Sequence, residues 1–439
     1  MNTPELLAPA GTPAHLETAF AYGADAVYAG QPRYSLRVRN NSFKDVAALG
    51  AGIKRAHALG KSFYLVSNIA PHNDKVRTYL RDLEPALALQ PDALIMSDPG
   101  LIMLVREKWP DQPIHLSVQA NAVNWATVEF WRRQGISRVI LSRELALDEI
   151  REIRERVPGM ELEVFVHGAL CMAYSGRCLL SGYMNHRDAN QGACTNACRW
   201  NYKEVQYNHD QTGDLIATSA GNSAQEVEPR EILLEEPNRP GGFIPAYEDE
   251  HGTYIMNSKD LRAVQHVSEL VKMGVHSLKI EGRTKSTYYV ARTTQVYRRA
   301  INDALQGKSF DMGLMDQLEA LSNRGYTEGF LRRHPPKEYQ SYEQGSSSLG
   351  TQQVVGAIKE NDGRWLTIEV KNRFAPGDPL ELITPAGNIR FAAAAMETLN
   401  GSKVDYAPGS GHTVRIPRPE GTPANLDFSY LTRLLHTEV

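Results

Sequence analysis

Residues 22–30 read YGADAVYAG, and the phrase returns as QPDALIMSD at 90–98, QGISRVILSRE at 134–144 and MGVHSLKIEG at 273–282. In each, a turn, usually with glycine, leads into a short apolar run, as expected where a helix ends and a buried strand begins. Outward from these phrases, β-type runs fall at 6–8, 26–28, 63–66, 93–96, 114–118, 139–141, 162–166 and 278–280. Apolar residues near helical spacing occupy 44–59, 75–89, 127–134, 148–157, 260–273 and 286–305. Strands alternating with helices predict an α/β fold with a parallel sheet, and eight such units predict a (β/α)8 TIM-like barrel.

The seventh unit is irregular. After 162–166 the chain passes about ninety residues, including all its cysteines, before the barrel resumes with the helix at 260–273 and the eighth strand; a loop of that length signals a functional insertion. The barrel is therefore assigned to 1–335, with the insertion at 167–259 after strand 7. A linker follows at 336–350, ending in GSSSLG, and 351–439 is a small all-β, barrel-like module of short strands between Gly, Pro, Asn and Asp turns.

A 439-residue chain with 42% hydrophobic and 23% charged residues has enough of both for a core and a solvated surface. No segment reads as a leader or a membrane span, so the expectation is a cytoplasmic protein with no membrane partner. A net charge of −3 argues against wholesale nucleic-acid binding through a broad basic face and leaves room for a local patch.

The four cysteines, Cys171, Cys178, Cys194 and Cys198, are spaced Cys-x6-Cys-x15-Cys-x3-Cys. In a reducing compartment such clustering points to metal or redox chemistry rather than disulfides. Zinc modules usually pair their ligands two to four residues apart, and this chain has one such pair, so zinc is the second reading. Four thiolates suffice for a [4Fe–4S] cluster, the first reading. Cys171 follows the seventh strand by five residues, which puts the site at the C-terminal barrel face where such folds carry their chemistry. Arg177, His186, Arg187 and Arg199 flank the ligands and would tune a cluster's potential.

EVFVHGALCMAYSGRCLLSG, residues 163–182, closely resembles the signature of the collagenase-like peptidases, the thirty-second peptidase family of unassigned catalytic type. The phrases ELLAPAG, RYSLRVRNN, QGACTNACRW, MNSKDL and SLKIEGRTKS resemble it too. The resemblance implies a tRNA-modifying hydroxylase that converts the wobble uridine to 5-hydroxyuridine without oxygen. It also implies prephenate as cosubstrate, an iron–sulfur cluster on the four cysteines, and an electron partner that the sequence does not name. Relatives act on ribosomal RNA or ubiquinone precursors. Peptidase chemistry finds little support. There is no H-E-x-x-H or G-x-S-x-G motif, and Ser175 reads as a small residue in a tight ligand loop.

Polar residues just past the strands, Tyr28, Asn68, Asp98, Gln119, Asn121, Arg143, Glu144, His167, Glu281 and Arg283, are expected to converge on one mouth. His167, Glu144 and Glu281 are the candidate catalytic groups. Arg143 and Arg283 are the candidate clamps for the two carboxylates of prephenate, because guanidinium groups pair carboxylates in a bidentate way. Gln119, Asn121 and Tyr28 are further substrate contacts, and Arg33, Arg37 and Arg39 would hold carboxylate or RNA phosphate. Tyr28, Tyr34 and Tyr174 are positioned to stack on a flipped base, with plain packing as the alternative. Arg332, Arg333, Lys371, Arg373 and Arg390 would grip the tRNA backbone. Two other classes stay open: a peptidase, and a zinc-stabilised RNA-binding protein without catalysis.

Overall fold

The structure, a computed structural model, describes residues 3–36, 42–170, 259–323, 325–332 and 351–435, with the backbone of five short strands between 207 and 254. Eight parallel strands close into a barrel: β1 (Glu5–Pro9), β2 (Ala26–Gly30), β3 (Ser62–Ser67), β4 (Ala93–Met96), β5 (Ile114–Leu116), β6 (Arg138–Ile140), β7 (Glu161–Ala169) and β14 (Ser277–Ile280). They pair in that order, and β14 pairs with both β7 and β1 to complete the ring. The fold is the predicted one, with the fifth strand ending at Leu116 rather than Val118 because a 3-10 turn begins there.

The repeated phrase has a single structural job. Gly23, Gln90, Gly135 and Gly274 all take left-handed backbone (φ +98°, +58°, +77° and +75°), the conformation that ends a helix and favours glycine. The next residue, Ala24, Pro91, Ile136 or Val275, is mostly buried and apolar. The third is polar and ties the incoming strand to the one before it. Asp25 accepts from Leu6 N at 2.9 Å, Asp92 from Phe63 N at 2.7 Å and His276 Nδ1 from Leu162 N at 3.1 Å, while Ser137 Oγ donates to Ile114 O at 3.0 Å. At the other end of the units, side-chain oxygens cap helices α1 (Pro13–Ala21), α2 (Val46–Ala58), α4 (Pro99–Lys108), α5 (Trp125–Arg133) and α8 (Thr287–Leu305). The caps are Thr12, Asp45, Asp98, Asn124 and Ser286, each satisfying a backbone N–H of the first turn. Helices α3 (Asn73–Leu87) and α6 (Leu147–Arg156) complete the ring between these, and α7 (Val267–Met273) precedes β14.

The helix expected over 260–273 is corrected at its start. Asp260–Arg262 is a strand, β13, antiparallel to the end of β7 with Asp260 opposite Ala169 and Arg262 opposite His167. The ladder hydrogen bonds of β7's overhanging end recruit these residues, and the helix starts at Val267. The two ends of the insertion are thus bonded to each other. Within it, β8 (Tyr207–His209) pairs with β9 (Leu215–Ala217), and β10 (Arg230–Glu235), β11 (Phe243–Asp249) and β12 (Gly252–Tyr254) form an antiparallel sheet, so it carries secondary structure of its own. The cysteines lie outside the described residues.

After α9 (Gly313–Glu319) and β15 (Tyr326–Thr327), the C-terminal module is a six-stranded antiparallel sheet. Its strands are β16 (Gln352–Asn361), β17 (Trp365–Val370), β18 (Pro379–Thr384), β19 (Gly387–Ala392), β20 (Thr413–Pro417) and β21 (Tyr430–Leu434), in the order β19-β18-β21-β16-β17-β20. It buries its own core of Leu366, Ile368, Phe374, Leu382 and Leu431. Ile383, however, packs into the barrel's cluster, and Tyr22 Oη donates to Phe428 O at 3.1 Å. At the junction Arg292 of α8, fully buried, pairs with Glu381 at 3.1 Å, and Gln352 Nε2 donates to the same carboxylate at 2.8 Å.

Removing one partner of a buried ion pair leaves an uncompensated charge, so Arg292→Met should lower stability by roughly 3–5 kcal/mol. Adding Glu381→Leu should recover most of that loss. Urea unfolding of the two variants checks this; a single variant as stable as the parent would show that the pair does not hold the module.

Candidate active site in the barrel lumen

Side chains at alternate strand positions fill the lumen, and in this barrel many are charged. At the N-terminal end Arg138 of β6 pairs with Glu5 at 2.6 Å and Glu161 at 2.9 Å, and Glu5 also accepts from Ser277 Oγ at 2.9 Å and from the Tyr64 hydroxyl. One layer up, Glu163 of β7 is shared: Lys279 Nζ of β14 lies 2.7 Å from one oxygen and Arg138 3.4 Å from the other. Glu163 is fully buried and the Lys279 side chain is 4% exposed. Burial raises the Glu5 pKa against the pull of Arg138. It also lowers that of Lys279 against the pull of Glu163. His115 packs edge-on against Tyr64, and burial holds it neutral with help from Arg138 and Lys279.

The third layer is the mouth. Lys279 lies over two rings, 4.4 Å from the centre of Tyr28 and 5.3 Å from that of Phe165. Arg143 stacks on Phe165 at 3.8 Å and Arg283 lies over Tyr28 at 5.5 Å. The Tyr28 hydroxyl contacts Ile280 O and Glu281 Oε2, both at 2.9 Å, and Arg283 also donates to Ser35 Oγ at 3.0 Å. The structure therefore brings Tyr28, Arg143, Glu281 and Arg283 into one constellation. Arg143 has no hydrogen bond or ion pair among the described residues, and half-buried Glu144 follows it. A cleft of about 100 Å³ lies past the ends of β3, β4 and β5, lined by Asn68, Asp98 and Gln119. There Asn68 donates to Ser117 Oγ at 3.2 Å, and Gln119 Oε1 is buried with no hydrogen-bond partner among the described residues.

Other predicted residues are placed elsewhere. Arg33 turns outward to Asp82 of α3 at 2.9 Å, Asp98 caps α4, and Tyr34 is wholly buried edge-on against Tyr79. Asn121 holds a left-handed turn, donating to Gln119 O at 3.0 Å. His167 sits among the rings of Tyr289, Tyr297 and Tyr326, with Nε2 buried and without a hydrogen-bond partner among the described residues. Of the basic residues, Lys371 pairs with Glu369, Arg390 lies 3.8 Å from Glu381, Arg332 pairs with Glu328, and Arg373 stacks on exposed Tyr406 at 4.3 Å. Arg37, Arg39, Tyr174, Ser175, Arg177, His186, Arg187, Arg199 and Arg333 lie outside the described residues. Sequence reading missed Lys279, Glu163 and Arg138, although the first two stand inside apolar runs and Arg138 directly before one.

Backbone geometry fixes the mouth. Gly168 has φ +106°, and a Cβ there would lie 2.4 Å from Glu281 O. That carbonyl accepts from the Tyr289 hydroxyl at 2.8 Å while Glu281 N donates to His167 O at 2.8 Å. Glu281 is thereby held at a set height above Tyr28, beside the first residues of the insertion.

An α/β barrel whose mouth gathers cations over aromatic rings, with an insertion anchored at its rim, defines the class. The model for peptidase family U32 matches residues 11–341, and that for the family's C-terminal domain matches 350–427; the chain belongs to peptidase family U32. It is 60% identical to the tRNA hydroxylation protein P of Escherichia coli (strain K12), over 97% of this chain and 96% of that one. To the tRNA hydroxylation protein P of Haemophilus influenzae it is 58% identical, over 98% and 96%. A 23S rRNA 5-hydroxycytidine synthase of Escherichia coli is 28% identical over 99% of this chain and 61% of its own length.

Burial holds the His167 pKa down at about 3, helped by Lys285 and Arg262. The unfolded state binds this proton near pH 6.5 and the folded state does not. Stability owed to His167 is thus complete above about pH 6.5 and falls as pH drops towards 3, by up to about 1.4 kcal/mol per pH unit. His167→Phe should flatten that slope in acid unfolding curves; a slope identical to the parent's would show that the histidine is not held neutral.

Proposed function

We propose that this protein hydroxylates tRNA, forming 5-hydroxyuridine at the wobble position without oxygen, with prephenate as cosubstrate and an iron–sulfur cluster on Cys171, Cys178, Cys194 and Cys198. Supporting the tRNA reading are the names of two relatives that match nearly the whole chain, together with a third named for hydroxylation of a pyrimidine in ribosomal RNA. The observation that carries the cosubstrate reading is Arg143, half-buried at the mouth, stacked on Phe165 and without a carboxylate partner among the described residues. A desolvated guanidinium of this kind is a strong receptor for a carboxylate.

Arg143 and Arg283 would orient prephenate over the rings of Phe165 and Tyr28, and Glu281, fixed through its backbone, would hold or deliver a proton at its carboxyl. The cleft beside Gln119 would take the edge of an extruded base, since a buried acceptor with no partner is costly until a donor meets it. The pairing of Ala169 with Asp260 supports a cysteine site near the mouth, because Cys171 begins two residues past that anchor. A cluster there would supply one-electron transfer. Arg373 on Tyr406 offers a stacking platform for RNA outside the barrel. Peptidase chemistry needs an accessible base-activated hydroxyl or thiol, and the hydroxyls that meet carboxylates in the described lumen, Ser277 and Tyr64 on Glu5 and Tyr28 on Glu281, are buried.

Nucleoside analysis of tRNA from cells lacking the protein tests the reading. The modification should be absent, return with the parent gene, and fail to return with Cys171→Ser. Arg143→Ala should raise the prephenate requirement roughly ten- to a hundredfold, the loss of one charge-assisted contact. Full modification in cells without the protein would overturn the proposal, and an unchanged prephenate requirement would remove Arg143 from the site.

A further inference from the structure

We propose that Lys279 is the third cation of the mouth and recognises the second carboxylate of a small dianion by exchanging its ion pair with Glu163 for one with the ligand. The inference rests on the reading of Arg143 and Arg283 as a carboxylate site and adds a residue that the reading does not contain.

Three observations carry it. Lys279 shares its two aromatic rings with the arginines, since Lys279 and Arg143 both contact Phe165 and Lys279 and Arg283 both contact Tyr28. Arg283 is near enough to act electrostatically on Lys279, and both arginines act on Tyr28, the ring that Lys279 contacts at 4.4 Å. Finally, Glu163 has a second partner. Its other oxygen faces Arg138, so when Lys279 turns to a ligand Glu163 keeps a counter-charge and no isolated buried charge is created. A flexible four-carbon stem suits this exchange, because a lysine ammonium can pivot between acceptors without the planar constraint of a guanidinium. A ligand with one carboxylate would be met by the arginines alone; one with two would also engage Lys279.

Calorimetric titration of the purified full-length protein with prephenate, two carboxylates, and phenylacetate, one, provides the test. Lys279→Met should weaken prephenate at least tenfold and change phenylacetate less than twofold, whereas Arg143→Ala should weaken both. Glu163→Gln gives an arm that does not depend on the lysine variant folding. It removes the competing carboxylate while Arg138 keeps Glu5 and Glu161, so prephenate should bind more tightly than to the parent. If Lys279→Met binds prephenate like the parent while Arg143→Ala does not, the exchange is overturned and the arginine site stands. If Glu163→Gln leaves prephenate affinity unchanged, the exchange is likewise overturned. If neither Arg143→Ala nor Lys279→Met changes prephenate affinity, both this inference and the carboxylate site fall.

Discussion

Glu163 is a fully buried carboxylate held from two sides, and the barrel depends on that sharing. An unpaired charge in such a lumen would cost several kcal/mol, so Glu163, Lys279 and Arg138 fix one another's positions. Through Glu5, Tyr64 and Ser277 the same network reaches β1, β3 and β14, which ties five of the eight strands by polar contacts inside the ring. A barrel filled only with aliphatic side chains could adjust its packing with little penalty. Here Glu163, Lys279 and Arg138 are matched to one another, and their pairing places Lys279 over Phe165 and Tyr28, the two rings on which the mouth is built.

The repeated phrase was readable because its parts are local. A left-handed residue, an apolar residue and a polar tie stand in fixed order before a strand, and the chain repeats them four times. The lumen was less readable, since the residues that fill it are scattered over β1, β3, β6, β7 and β14 and pair across as many as 272 residues of sequence. In ELEVFV and SLKI the charged residue interrupts an apolar run, and taking each run as a uniformly buried strand hid the alternation that aims Glu163 and Lys279 inward. Arg143 and Arg283 were found by their place just past a strand. Arg33 has the same kind of place and turns outward instead, because Asp82 of α3 is within reach. Position at a strand end therefore identifies candidates, and the nearest available carboxylate decides among them. The start of β13 was misread as helix because its partner, the end of β7, lies ninety residues earlier.

Helix α8 joins what these networks leave separate. Tyr289 bonds the Glu281 carbonyl at the mouth, and Tyr297 bonds the Val166 carbonyl on β7 while accepting from Ala263 N. Arg298 bonds the Gly23 carbonyl at the start of the second unit. Three other residues face the C-terminal module: Arg292 reaches Glu381, Gln295 reaches Thr384 O at 2.9 Å, and Tyr288 packs edge-on against Tyr430. One rigid element of nineteen residues thus contacts the mouth, the strand leading into the insertion and the β module. A module carried on a loose tether would have to be ordered again each time a large substrate bound, at an entropic cost. Buried charge pairing through Arg292 meets that cost during folding, so the exposed Arg373 and Tyr406 pair keeps a fixed position relative to the barrel mouth.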